Sequence, residues 1–95
     1  MMETRLNIEE NKGTVTAYED GTAVGDLTFK IRSEGIIVIT HTLAFEGNEG
    51  KGIGATLMEA AVRYALENDK KIVPLCSYAR HYLERKPGLK SLISD

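Results

Sequence analysis

The sequence contains no tryptophan, two prolines, two histidines and one cysteine. Cys76, being alone, has no partner for an internal disulfide, which favours a reducing compartment, and the expected location is the cytoplasm. Without a CxxC or HxxxH spacing a structural zinc site is not expected, and no metal is assigned. No apolar run approaches the roughly 20 residues of a membrane-spanning helix. Residues 1–10 alternate polar and apolar side chains and have no signal-peptide core, so no membrane partner is expected. Neither sign of charge dominates: 12 basic and 14 acidic residues give a net charge of −2, without the basic footprint of non-specific nucleic-acid binding.

The rest is ordinary globular material. Charged residues make up 27% and hydrophobic ones 42% of the 95, enough for one domain over residues 1–95 and too few residues for two cores. The first half carries strand signals. Leu6 and Ile8 alternate with polar neighbours, and Asn11, Lys12 and Gly13 supply a turn in which Gly13 is free to take a positive φ. Residues 14–19 alternate again and are rich in β-branched side chains. Asp20-Gly21 is the strongest hairpin signal in the chain, followed by a third strand over residues 23–31 and a turn at Ser33, Glu34 and Gly35. Ile36, Ile37, Val38 and Ile39 are apolar in succession, as in a central strand covered on both faces. The expectation is a four-strand antiparallel meander.

The period then changes. From Ile53, the residues Leu57, Ala60, Ala61, Tyr64, Ala65 and Leu66 recur at helical spacing, and the helix is expected to end near Asn68-Asp69. Residues 71–75, with Pro74 inside, read as a short fifth strand. Ser77 fits an N-cap for a second helix running to about Lys86, where Pro87-Gly88 stops it. The strand–helix–strand unit over residues 36–75 is expected to be a right-handed parallel crossover. The fold class is therefore α+β: a meander continued by a β-α-β crossover and a C-terminal helix. Residues 89–95 give no signal.

The chemistry lies in the stretch Glu46-Gly47-Asn48-Glu49-Gly50-Lys51-Gly52-Ile53-Gly54, which joins an apolar strand to an amphipathic helix. Glycines at alternate positions let the backbone approach a bulky anion, and the first helical turn offers unpaired N–H groups with a partial positive charge. Together they form a pyrophosphate cradle, to which Lys51 adds a mobile cation. Spacing separates the families that use such a turn. Gly47 and Gly52 have P-loop spacing, but Ile53 stands where that loop needs lysine. Gly50 and Gly52 begin a dinucleotide GxGxxG, but Ala55 occupies the third glycine position. A glycine-rich connection without any ligand is the bland alternative.

Gly50-Lys51-Gly52-Ile53-Gly54, with Leu57 and the Ala60-Ala61 helix, resembles the acetyl-CoA loop of the GCN5-related N-acetyltransferases. The resemblance is closest to their very small bacterial branch. It includes Thr40-His41-Thr42 before the loop, Val73-Pro74-Leu75-Cys76 after the helix, and Tyr82 followed by a basic pair and Pro87; it spans residues 25–87. It implies bound acetyl-CoA or coenzyme A as co-substrate, an amine acceptor of unknown identity for which a protein or peptide is a candidate, and the minimal acetyltransferase fold. The pyrophosphate would lie on residues 49–54, with Asn48 beside them. The pantetheine arm would pass Thr42 and Leu43 between the fourth and fifth strands, and Tyr78 and Tyr82 would border the cofactor.

The chain departs from the wider superfamily in four places. Glu49 stands where glutamine or arginine is usual, so its carboxylate is expected to point away from the anion. Cys76 replaces an asparagine. The proton-donating tyrosine seven residues later is here Leu83, with Tyr82 one place early, about 100° away around a helix. No helices fit between the first two strands, so the wall they supply to the acceptor site is missing. The acceptor is expected either to be large and supply its own wall or to be absent, the domain only binding coenzyme A.

Two residues are candidates for catalysis. Cys76, beside the expected thioester, could attack it and carry the acetyl group; a buried apolar cysteine is the plain alternative. His41 has the chemistry of a base for the incoming amine; a structural histidine is its alternative. A Cys–His pair across the splayed strands is a reasonable geometry. Tyr78 and Tyr82, four apart, share a helical face suited to core packing or to proton donation. His81 is expected on the solvated face, near Arg80, Arg85 and Lys86, which either meet the ribose phosphate or are simply solvated. The function implied is transfer of acetyl from acetyl-CoA to an amine; the alternative is a non-catalytic coenzyme A sensor or regulatory module.

Overall fold

The structure, a computed structural model, describes residues 2–33 and 35–94. Five strands, β1 (Met2–Glu9), β2 (Lys12–Glu19), β3 (Thr22–Arg32), β4 (Ile36–Ala44) and β5 (Lys71–Pro74), form one sheet in sequence order. Neighbours are antiparallel except β4 and β5, which are parallel and joined through helix α1 (Ile53–Glu67). Helix α2 (Ser77–Arg85) and a short 3₁₀ turn (Lys90–Leu92) complete the chain. This is the expected meander and crossover, and α1 ends where expected, on Asn68.

Side-chain alternation decides which face of the sheet is dry. Val15, Ala17, Leu27, Phe29, Ile37, Ile39 and Ile72 are buried on the face that carries Leu57, Met58, Ala61 and Ala65 of α1 and Ala79 and Leu83 of α2. We call this the inner face. The opposite, outer face presents Thr14, Thr16, Asp26, Thr28 and Lys30, the residues alternating with that core. Among the described residues no helix covers it.

Three turn assignments are refined. Asp20 (φ 51°) and Gly21 (φ 84°) both lie in the left-handed region, the signature of a two-residue type I′ hairpin. The β1–β2 turn sits on Glu10 and Asn11, with Glu10 at φ 54°, rather than on Gly13. Gly13 is a strand residue, and a Cβ there would overlap the Phe29 ring, so close approach and not φ is what requires glycine. Of the Ser33–Gly35 turn, Gly35 takes φ 74°, while Glu34 lies outside the described residues.

The C-terminal segment, silent in the sequence, is structural. Leu92 is buried in the core, Ile93 bridges Ile72, and the Ser94 amide donates to the Ile72 carbonyl at 2.7 Å. The edge of β5 away from β4 is thereby covered.

Candidate functional site

β4 and β5 part company after Ile39 and Pro74, the last Cα partners, with the Leu75 amide donating to the Ile39 carbonyl at 3.0 Å as the final bond. β4 continues for five residues while the chain after Pro74 turns into α2. The splay is therefore lined by residues 40–44 on one side and 75–76 on the other. Thr42 spans it: its Oγ1 lies 3.4 Å from the Cys76 sulfur.

Cys76 is half-buried and is itself the N-cap of α2, its sulfur accepting from the Ala79 amide at 3.3 Å. Ser77, the expected cap, is the first helical residue instead. An extended backbone at Cys76 (φ −83°, ψ 141°) points its side chain at the open helix end, the geometry of any capping side chain.

His41 is elsewhere. β4 carries one extra residue opposite the Thr28/Phe29 step, where Thr28 pairs with His41 and Phe29 with Ile39. This bulge puts Thr40 and His41 on the outer face together. Thr40 Oγ1 lies 2.9 Å from Thr28 Oγ1, and His41 Nε2 lies 3.0 Å from Asp26 Oδ1. Thr42, back in alternation, pairs with Leu27 and faces inward. The expected Cys–His pair is thus not formed: Cys76 is held with Thr42 on the inner side, His41 with Asp26 on the outer.

The glycine loop follows. Gly47, Gly50 and Gly52 all have positive φ (86°, 82° and 76°), and open space surrounds the position of a Cβ on each. Gly52 is the N-cap of α1 and offers no side chain to close the helix end. The amides of residues 49–55 therefore have no hydrogen-bond partner among the described residues; the first to be satisfied is Thr56, which donates to the Gly52 carbonyl at 3.1 Å. Seven neighbouring donors at a helix N-terminus are the geometry that suits an anion.

The charged residues of the loop support it. Glu49 turns its carboxylate back to accept from the Gly47 amide at 3.1 Å, so it bends away from the open amides as expected. Lys51, expected to be mobile, is tethered: Nζ donates to Asn48 Oδ1 at 3.0 Å and to Glu19 Oε1, in the β2–β3 hairpin, at 3.4 Å. Ile53 is buried and anchors the loop to the core. Leu43, on the outer face of β4, is 47% exposed.

Gly54, in the first turn of α1, is required by contact. A Cβ would lie 2.7 Å from Cζ of Tyr78, so glycine lets α2 close onto α1. Tyr78 and Tyr82 stack with centroids 6.5 Å apart and, with Ala55, His81, Arg85 and Lys86, line a cleft of about 440 Å³ between the helices. They are cleft residues more than core residues, and His81 faces solvent as expected. Burial raises the Tyr82 phenol above its usual pKa, helped by Glu59 and then Tyr78, so it is a proton holder at neutral pH. Lys86 lies over its ring at 5.1 Å. Leu83, at the superfamily's tyrosine position, is fully buried. The cleft was missed by sequence reasoning; the spacing of Gly54 and Tyr78 carries no sign that they meet.

The comparisons with known proteins agree with this architecture. A candidate GCN5-like N-acetyltransferase from Staphylococcus aureus, solved by NMR, is 29% identical over 95% of this chain and 87% of its own, with a TM-score of 0.67. The ribosomal-protein-alanine N-acetyltransferase of Brucella melitensis biovar Abortus 2308 superposes with a TM-score of 0.68 at 22% identity, over 81% of this chain. A candidate streptothricin acetyltransferase from Bacillus anthracis, crystallised with acetyl coenzyme A, superposes with a TM-score of 0.64 at 17% identity, also over 81%. The matched part spans only 62% and 47% of those last two proteins, whose likeness is one of fold. No curated protein sequence matches the chain. No helix among the described residues is long and apolar enough to cross a membrane. The sequence profile of the GCN5-related N-acetyl-transferases matches residues 14–92, and the chain belongs to that family.

Proposed function

We propose that the protein is an N-acetyltransferase that takes acetyl from acetyl-CoA and gives it to an amine arriving at the outer face of the sheet. The observation that carries this reading is the run of seven open amides, residues 49–55, beside the splay of β4 and β5. An open amide run at a helix N-terminus fits a pyrophosphate, and a splayed strand pair leaves main-chain groups of residues 40–44 for an amide-bearing arm. The helix cleft with Tyr78, Tyr82, Arg85 and Lys86 suits the nucleotide end, through stacking and phosphate contact.

Acetyl-CoA would supply the activated acyl group. The chain's residues then hold the amine and its proton. The amine nitrogen bonds to the thioester carbon, the carbon–sulfur bond breaks, and the departing thiolate takes up a proton from solvent water. The amine loses its proton to His41, whose orientation is fixed by Asp26. Cys76 forms the wall of the slot with Thr42, where it could also accept the acetyl group.

A coenzyme A-binding module without turnover is the second reading. The burial of Leu83, which leaves no phenol at the position where the superfamily protonates its leaving thiolate, favours it. Two measurements decide. Coenzyme A should raise the melting temperature and shift amide signals within residues 48–55 and 39–44. Thiol release from acetyl-CoA in the presence of amines should then exceed hydrolysis. Binding without release sinks the transferase; no binding sinks both.

A further inference from the structure

A cavity of about 600 Å³ opens on the outer face, away from the glycine loop. At one end it reaches Thr28 and Thr40, the hydroxyl pair at the β4 bulge where the sheet splays. At the other it is lined by Lys12, Lys30 and Arg32. Lys12 and Lys30 are direct Cα partners across β2 and β3, and Arg32 follows Lys30 on the same face. Like charges placed opposite each other repel. None of these three cations has an ion pair or hydrogen bond among the described residues. Glu9 and Glu10 also line the cavity, from the β1–β2 turn, with Glu9 opposite Lys12. Among the described residues, the charge left without an acidic neighbour in the cavity therefore lies on the β3 side, toward Lys30 and Arg32.

We propose that this groove is the acceptor seat and that it selects an amine bearing an oxyanion, a carboxylate or a phosphate. The oxyanion lies on Lys12, Lys30 and Arg32, and the amine lies at Thr28, Thr40 and His41. This rests on the transferase reading. Lys30 is two residues from Thr28, so at the strand rise the two groups of the acceptor are about 7 Å apart. An unbranched aminocarboxylate such as 5-aminopentanoate has about that reach. The side chain that removes the proton and the cations that choose the substrate then sit on one open face, with no helix wall needed.

The test uses the full chain and measures thiol release from acetyl-CoA with 5-aminopentanoate, an aminoalkyl phosphate of equal length, pentylamine and 1,5-diaminopentane. The expected result is a kcat/KM for one of the two anionic amines at least tenfold above both others, and the better anion identifies the source. The double variant Lys12→Glu, Lys30→Glu should cut the anionic-to-neutral ratio at least tenfold, while Lys70→Glu, remote from the groove, should not. Equal rates across the panel, or a preference that survives the double reversal, overturn the seat. Coenzyme A binding is read on the same samples by thermal shift. Should coenzyme A bind but no amine react, the transferase reading falls, and the seat is judged separately: 5-aminopentanoate must then shift the amide signals of Lys12, Thr28 and Lys30, and unmoved signals overturn it too.

Discussion

At the scale of single residues, Cys76 and His41 sit on different faces of the sheet with different partners. The Cys76 sulfur already accepts one helix amide and sits against Thr42, so its loss has two separable effects. Cys76→Ala should cost about 1 kcal/mol of stability, the usual value of an N-cap. Iodoacetamide should alkylate the wild-type thiol, and saturating coenzyme A should block it. Acetyl-CoA should leave an acetyl group that the alanine variant cannot acquire, read by mass spectrometry. Protection without acetylation would make Cys76 a slot wall alone; a thiol that coenzyme A fails to protect would lie outside the slot. For His41 the expectation is kinetic. His41→Gln should lower thiol release by about a hundredfold, within the range of general-base catalysis, with coenzyme A affinity unchanged. Asp26→Asn should act through His41 and give a smaller loss with an altered pH profile. A fall in coenzyme A affinity with His41→Gln would put the histidine in the cofactor slot and end its role as base.

At the scale of elements, the loop between β4 and α1 makes two demands on its glycines, and they predict different failures. Gly52 at φ 76° has open space around it, so alanine there pays only backbone strain, about 1–2 kcal/mol. Gly52→Ala should stay folded but bind coenzyme A more weakly, through a distorted cradle. Gly54→Ala instead pushes against the Tyr78 ring and should spread α1 from α2, changing tyrosine fluorescence and lowering the melting temperature. Equal behaviour of the two variants would contradict this division. Lys51→Ala should weaken binding by no more than roughly tenfold, about 1.4 kcal/mol, less at high salt, because Asn48 and Glu19 already share its charge. These elements were legible where pattern and local chemistry agree: Asp20-Gly21, the alternation of β2 and β3, and the period of α1. What was not legible depends on contacts distant in sequence. Counting by twos from Ile37 and Ile39 puts His41 inside with the core; one bulged residue, unmarked by any glycine or proline, turns it outward to Asp26. The Cys–His pair across the splayed strands fails on that one residue. Cysteine is outside the usual cap set, so Ser77 drew the assignment that belongs to Cys76. Gly13 reads as a turn residue until Phe29 is placed over it.

At the scale of the whole molecule, the weakest member of the sheet carries one side of the site. β5 has four residues, one of them a proline with no N–H to give, and β4 is its one strand partner among the described residues. Short edge strands are marginal alone. The C-terminal segment compensates, with Leu92 packed in the core, Ile93 bridging Ile72, and Lys71 Nζ donating to the Ser91 carbonyl at 2.8 Å. Residues 75–76, the far wall of the splay, are therefore held in place from a segment that touches no proposed ligand. Leu92→Ala removes buried methyl groups at 7% exposure, for which a loss of about 2–4 kcal/mol is expected. In a domain of this size that is a fall in melting temperature of at least about 8 °C. The functional consequence should follow the structure: Leu92→Ala, assayed well below its own melting point, should bind coenzyme A more weakly, with its amide shifts perturbed at Leu75 and Cys76 and unchanged in residues 48–52. A variant that melts within about 2 °C of the parent would show that the tail is not part of the core. A destabilised variant with normal affinity and normal signals at Leu75 and Cys76 would show that β5 keeps the splay open without help from the tail.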